Sequence, residues 1–170
     1  SNIDEAVINH INEHGLSELS EKYTKIDEIP FDFARRRLSV IVSDVQKTQM
    51  ITKGAVEEIL GISTMVDYQG NVSPITNAIK ENIKKITKDL NKQGLRVVAV
   101  CQKNNFEKTS EFTVSDEKNM VLIGFIGFLD PPKESAKSSI EKLNKNGIRV
   151  IVLTGDNVEV TKCICDKVGI

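Results

Sequence analysis

The sequence has no tryptophan, two tyrosines, two histidines, four prolines and three cysteines in 170 residues. Each scarcity excludes something. HINEH, at residues 10–14, reads as H-x-x-E-H, the pattern of the inverted zinc peptidases. Such a site needs a third protein ligand and an open position for water. His10 and His14 are the only histidines, so a distant carboxylate would have to serve; the motif is read as a coincidence and no metal ligand is assigned. Three cysteines make no even framework, and Cys163 and Cys165, two apart on a helix, point to different sides. Cys101, Cys163 and Cys165 therefore read as reduced packing residues of a cytosolic protein. Neither sign of charge dominates: 23 basic against 24 acidic residues, net charge -1, which argues against a nucleic-acid or membrane-surface partner. Arg35, Arg36 and Arg37 have Asp27, Glu28 and Asp32 close in sequence and make a poor nucleic-acid footprint. No signal peptide opens the chain, and its longest apolar run, MVLIGFIGFL at 120–129, is about half of a membrane-spanning helix. The expectation is a soluble piece.

What is present is ordinary globular composition, 39% hydrophobic and 28% charged, enough for one domain or for one domain and part of another. Residues 3–14 set Ile3, Val7 and Ile11 on one helical stripe, with Gly15 as the stop. Residues 25–31, 37–45 and 48–53 read as strands, with Pro30 marking an edge or bend. AVEEIL (55–60) is a short helix, and 63–74 a strand and turn around Gly70 and Asn71. Ile79, Ile83, Ile86 and Leu90 predict a helix over 77–94, closed by Gly94. A strand follows at 95–103, then a polar stretch, 104–118, read as a mobile loop.

The character then changes. An apolar strand at 121–130, a helix from Glu134 to Asn146, an apolar strand in IRVIVLTGD (148–156) and a helix from Val158 to Val168 alternate as in a parallel α/β sheet. The reading is α+β: an antiparallel sheet flanked by helices over 1–124, followed by a partial haloacid-dehalogenase-like α/β fragment, βαβα, over 125–170. Thr154, Gly155 and Asp156 would stand at a strand's carboxyl end, where ligands of open α/β sheets bind, with helix N-terminal amides next to them. Alone, Thr-Gly-Asp reads equally well as a turn and helix cap.

IPFDFARRRLSVIV (29–42), ITKGAVEE (51–58), QGLRVVAV (93–100), FLDPPKESA (128–136) and TGDN (154–157) occur in this order. Together they resemble the P-type cation-transporting ATPases, whose nucleotide domain carries F-D/S-x-x-R-K/R-x-M/L-S-V, K-G-A and G-L-R, and whose phosphorylation domain carries D-P-P-K/R and T-G-D-N. The resemblance covers essentially the whole chain. KIDEIPFDFARRRLSV and NKQGLRVVAV are most similar to the magnesium-transporting members, with the calcium pumps as the alternative.

The resemblance implies ATP as ligand. Phe31 would stack on adenine, Arg36 and Lys53 would bring charge to the nucleotide, Gly54 would permit close approach, and Arg96 would contact the phosphates through its planar fork. Asp4 would match the family's acidic acceptor for the adenine amino group. From the residues alone, Phe31 reads equally as a core aromatic, Lys53 as a solvated lysine and Arg96 as an exposed strand arginine. Asp130, Thr154, Gly155 and Asp156 would belong to the catalytic phosphorylation site, with Mg2+ arriving with ATP and held mostly by residues elsewhere. The implied parent reaction is ATP hydrolysis through an aspartyl-phosphate coupled to cation transport. The nucleophile-bearing D-K-T-G-T-L-T is absent, as is G-D-G-x-N-D, so this chain is expected to bind ATP without turning it over. Its partners would be the rest of the same polypeptide: phosphorylation domain, actuator domain and membrane helices. That places it as the cytoplasmic part of an integral protein of the plasma membrane, by expectation a bacterial inner membrane. Two other classes remain: a non-catalytic interaction module, and a haloacid-dehalogenase-type phosphatase, which would need a D-x-D motif that the chain lacks.

Overall fold

β-branched residues at period two dominate the centre of the molecule, and they build a seven-stranded sheet. A computed structural model describes residues 2–15, 22–45, 47–104, 106, 111–155 and 157–170. The strands are β1 (Thr24–Asp32), β2 (Arg37–Ser43), β3 (Thr48–Gly54), β4 (Ser63–Tyr68), β5 (Asn71–Pro74), β6 (Leu95–Asn104) and β7 (Met120–Leu129), in the order β1-β2-β3-β6-β7-β4-β5. The helices are α1 (Asn2–Glu13), α2 (Val56–Ile62), α3 (Asn77–Lys92), α4 (Ser135–Lys145) and α5 (Val158–Val168). The chain divides into two compact units, residues 1–80 with 98–126 and residues 81–97 with 127–170.

In the first unit, β1, β2, β3 and β6 pair antiparallel. Ile41 lies opposite Met50, and Ser39 opposite Thr52, all fully buried on one face together with Ala99 and Cys101. Alternation puts Leu38, Val40 and Lys53 on the other, half-open face, as period two requires. Helix α2 packs on β3 and β4 through Val56, Ile59 and Leu60. Pro30 has its expected place, since β1 is a sheet edge and a proline there costs no ladder bond. The β4–β5 hairpin turns at Gln69 and Gly70, both at positive φ, the tight hairpin geometry that glycine eases.

One pairing departs from the expected antiparallel sheet. β4 and β7 run parallel, Ser63 beside Met120 and Val66 beside Leu122. β4 enters next to β7 only after the crossover through α3 and β6, a non-local pairing that local pattern does not encode.

The second unit differs more. Helix α3 buries Ile83, Thr87 and Asn91 and leaves Ile86 exposed, so its inner stripe is rotated from the one the isoleucines suggest. Helices α4 and α5 pack on each other. The expected strand at 148–156 is not found: residues 148–155 join no ladder, and Ile151 and Leu153 are 64% and 93% exposed. Among the described residues the fragment is therefore strand, helix, a segment outside any ladder, and helix, and not βαβα. A buried parallel strand takes hydrogen bonds from both sides, and among the described residues none lies beside this one.

Candidate functional site

The first unit holds five of the residues singled out for nucleotide binding. Phe31, at the end of β1, is half exposed, and its ring meets that of Phe33 edge-on, centroids 5.3 Å apart at 84°. Phe33 is 89% exposed. Two solvent-facing phenyl rings, one at the end of an edge strand and one in the turn after it, are not core residues, which answers the alternative left open for Phe31. Between β1 and β2 the chain makes a turn stapled by Asp32: its side chain accepts from the Ala34 amide at 2.7 Å and its carbonyl from the Arg36 amide at 2.7 Å. The Ala34 amide hydrogen bond, assisted by Arg35, holds the Asp32 carboxyl below the ordinary range. Arg36 takes a positive φ of 47°, a strained conformation for a residue with a side chain.

The three arginines are divided between two carboxylates and form no open basic stripe. Arg36 Nη2 donates to Glu58 at 2.6 Å, and this bond keeps its guanidinium still more firmly charged. Arg35 Nη1 donates to both oxygens of Glu117 at 2.9 Å, and Arg37 Nε to the same carboxylate at 2.7 Å. Ser39 Oγ also donates to Glu117, at 2.7 Å. Its one proton being spent, the 2.7 Å contact between Ser39 and Thr52 has Thr52 as donor. Glu117 has no side-chain exposure. Burial pushes its carboxyl up, but the Ser39 hydroxyl and the Arg37 and Arg35 guanidiniums outweigh that and hold it below the ordinary range.

Lys53, on β3, pairs with Asp4 of α1 at 2.5 Å. The two side chains expected to contact a nucleotide at different points thus meet each other. Gly54 is required by a neighbour rather than by φ: a Cβ there would lie 2.5 Å from Arg37 Cβ and 2.6 Å from the Arg36 carbonyl. The Ala55 amide donates to that same carbonyl at 3.0 Å. Cys101 is buried, which pushes its thiol up to about 12, in keeping with a packing cysteine. His14 Nδ1 donates to the His10 carbonyl at 2.9 Å.

The second unit holds Arg96, Asp130, Thr154 and Gly155; Asp156 lies outside the described residues. Arg96 on β6 and Asp130 after β7 form an ion pair at 3.8 Å. Thr154 and Gly155 are exposed. The helix amides expected to face an anion are already engaged: Asn157 Oδ1 caps α5, accepting from Glu159 and Val160 at 2.9 and 3.4 Å. A groove of about 580 Å³ in this unit is lined by Lys92, Glu159, Lys162, Cys163, Asp166 and Lys167 and contains none of the singled-out residues.

A family model described as the P-type ATPase cytoplasmic domain N matches residues 2–135. The chain belongs to that family. It is 41% identical over 169 residues to a magnesium-transporting ATPase, P-type 1, of Salmonella typhimurium and 40% identical to one of Escherichia coli K12, covering 99% of this chain and 19% of each relative. A calcium-transporting ATPase of Listeria monocytogenes is 31% identical over 159 residues, 94% of this chain and 18% of the relative. The chain therefore spans about a fifth of the length of the curated relatives it matches. Within the domain N family frame, sequence reasoning missed Glu117 and Glu58. Glu117 sits in SDEK, in a stretch that reads as polar loop. The available signal was Arg35 and Arg37 two apart, both on the inward side of a strand entry, where a buried guanidinium demands a carboxylate.

Proposed function

We propose that this chain is the ATP-gripping cytoplasmic part of a P-type ATPase that moves magnesium across a bacterial inner membrane. The observation that carries the proposal is the exposed Phe31 on the edge strand of a domain N family member, with Arg36 in the turn that follows and Lys53 on β3. Phe31 offers a face to adenine; Arg36 and Lys53 exchange Glu58 and Asp4 for nucleotide oxygens; Arg96 contacts the phosphates.

Phosphoryl transfer is largely a matter of positioning and charge stabilisation. Asp130, Thr154, Gly155 and Asp156 belong to the phosphorylation site, which other segments of the parent protein complete, the aspartyl nucleophile among them. Mg2+ bound with ATP neutralises phosphate charge. Among the described residues no cluster of three His, Cys, Asp or Glu could hold a metal ion. No helix among the described residues is long and apolar enough to cross a membrane. Magnesium as cargo follows the relatives at 41% identity against 31% for the calcium transporter. By itself the chain binds ATP and does not hydrolyse it.

An ATP titration followed by amide chemical shifts, on wild type, Phe31→Ala and Lys53→Ala, tests this. Saturable shifts at residues 31, 36 and 53 are expected, with Phe31→Ala losing about 1–3 kcal/mol of affinity. A folded chain in which millimolar ATP moves nothing would leave an interaction module as the better reading.

A further inference from the structure

We propose that Glu117 is a positioning residue of the nucleotide site, the buried carboxylate that sets the conformation of the 31–37 turn; the inference rests on the ATP-binding reading. The turn is also held from outside by single hydrogen bonds, Arg36 to Glu58 at 2.6 Å and the Ala55 amide to the Arg36 carbonyl at 3.0 Å, whereas Glu117 collects four. The turn's solvent-side bonds to Asp32 are local, and Arg36 sits in its middle at a positive φ of 47°. A conformation of that kind persists only where its surroundings over-determine it.

Glu117 supplies those surroundings from 80 residues downstream in sequence. Arg35 Nη1 binds both of its oxygens, while Arg35 Nη2 donates to the Pro30 carbonyl, next to Phe31, at 2.7 Å. Arg37 binds it from the far side of the turn, and Ser39 from one step further along β2. One carboxylate thus grips both shoulders of the turn, and its acceptor positions are filled by charged or hydroxyl donors. With residues 35 and 37 pulled inward, residue 36 is left pointing out, and Arg36 is half exposed. Its carbonyl and the Arg37 Cα then press on Gly54, directly after Lys53. Through Arg35 and Arg37, Glu117 therefore fixes the aromatic and both cations without touching a ligand.

The test uses the full chain: wild type, Glu117→Gln, which keeps the size but loses the charge and one of the two acceptor oxygens, and Leu122→Val, a change at a buried position of β7 beside β4. ATP affinity is measured at a temperature where circular dichroism shows all three folded, and amide shifts are recorded without ligand. The expected result is an ATP affinity on the order of tenfold weaker for Glu117→Gln, with shifted Phe31, Arg36 and Gly54 amides before ATP is added, and an unchanged affinity for Leu122→Val. A Glu117→Gln affinity within about twofold of wild type overturns the inference while leaving the ATP reading intact. Wild type failing to bind ATP overturns the ATP reading and the inference with it. If Glu117→Gln does not fold, Arg35→Lys decides: it keeps the charge and loses the fork, and an unchanged affinity again overturns the proposal.

Discussion

RLSVIVS in β2 and IRVIVL at 148–153 are nearly the same kind of peptide, β-branched, apolar and opened by an arginine or near one. Their fates are opposite. β2 lies between β1 and β3, with Ile41 fully buried. Residues 148–153 join no ladder, and Leu153 is 93% exposed. The comparison teaches that β-propensity is a statement about fitting a pleated surface, and that the surface has to be there. The first unit contains every partner that β2 needs. The second has the run and none of its neighbours among the described residues.

The largest effect expected from this difference lies in the two cores. Met50→Ala, opposite Ile41 in the first unit, removes a fully buried side chain and should cost about 2–5 kcal/mol. Leu153→Ala in the second should stay within about 0.5 kcal/mol. Urea denaturation of the two variants checks the contrast. A Leu153→Ala penalty above about 1 kcal/mol would mean that this run packs in solution, and the comparison would fail.

Much of this was legible in advance, because it is local. The helix expected at 77–94 is Asn77–Lys92, the strands other than the one expected at 148–156 fall within a residue or two, and Gly70 marks the hairpin. The ordered motifs from Phe31 to Asp130 carried the family. What stayed hidden depends on distant partners. Glu117 looks solvated in SDEK until Arg35 and Arg37 are brought to it, and β7 looks like the opening of a separate fragment until β4 arrives beside it in parallel. The apolar run at 148–153 misled for the converse reason: its sequence states what kind of partner it wants, and nothing about whether one is present.

Acid should act on the first unit through Glu117. Its carboxyl is held below the ordinary range in the folded chain, so the native state binds fewer protons there than the unfolded state. The stabilisation is therefore fully present above the ordinary glutamate value, about 4.3, and is lost as pH falls through that value towards the depressed one. Asp32, also depressed, adds in the same sense. Urea midpoints measured from pH 7 down to about pH 3 should fall for wild type and fall less steeply for Glu117→Gln, which has no proton to take up. Parallel pH profiles would show that the Arg35–Glu117–Arg37 cluster contributes no acid sensitivity.

The smallest effect separates the two units at their arginines. Arg36 in the first is bound to Glu58 at 2.6 Å, and Arg96 in the second to Asp130 at 3.8 Å. A phosphate recruiting either guanidinium has to displace a carboxylate, and a short contact resists displacement more than a long one. Both pairs are partly solvent-exposed, so screening keeps either one at no more than about 1 kcal/mol. Glu58→Gln should therefore tighten ATP binding by about two- to fivefold, and Asp130→Asn by less than about twofold. Isothermal titration at low salt reads both, and the difference should shrink as salt is raised. Equal gains would mean that the 2.6 and 3.8 Å contacts hold their arginines equally; the reverse order would make Arg96, not Arg36, the guanidinium that the nucleotide meets first.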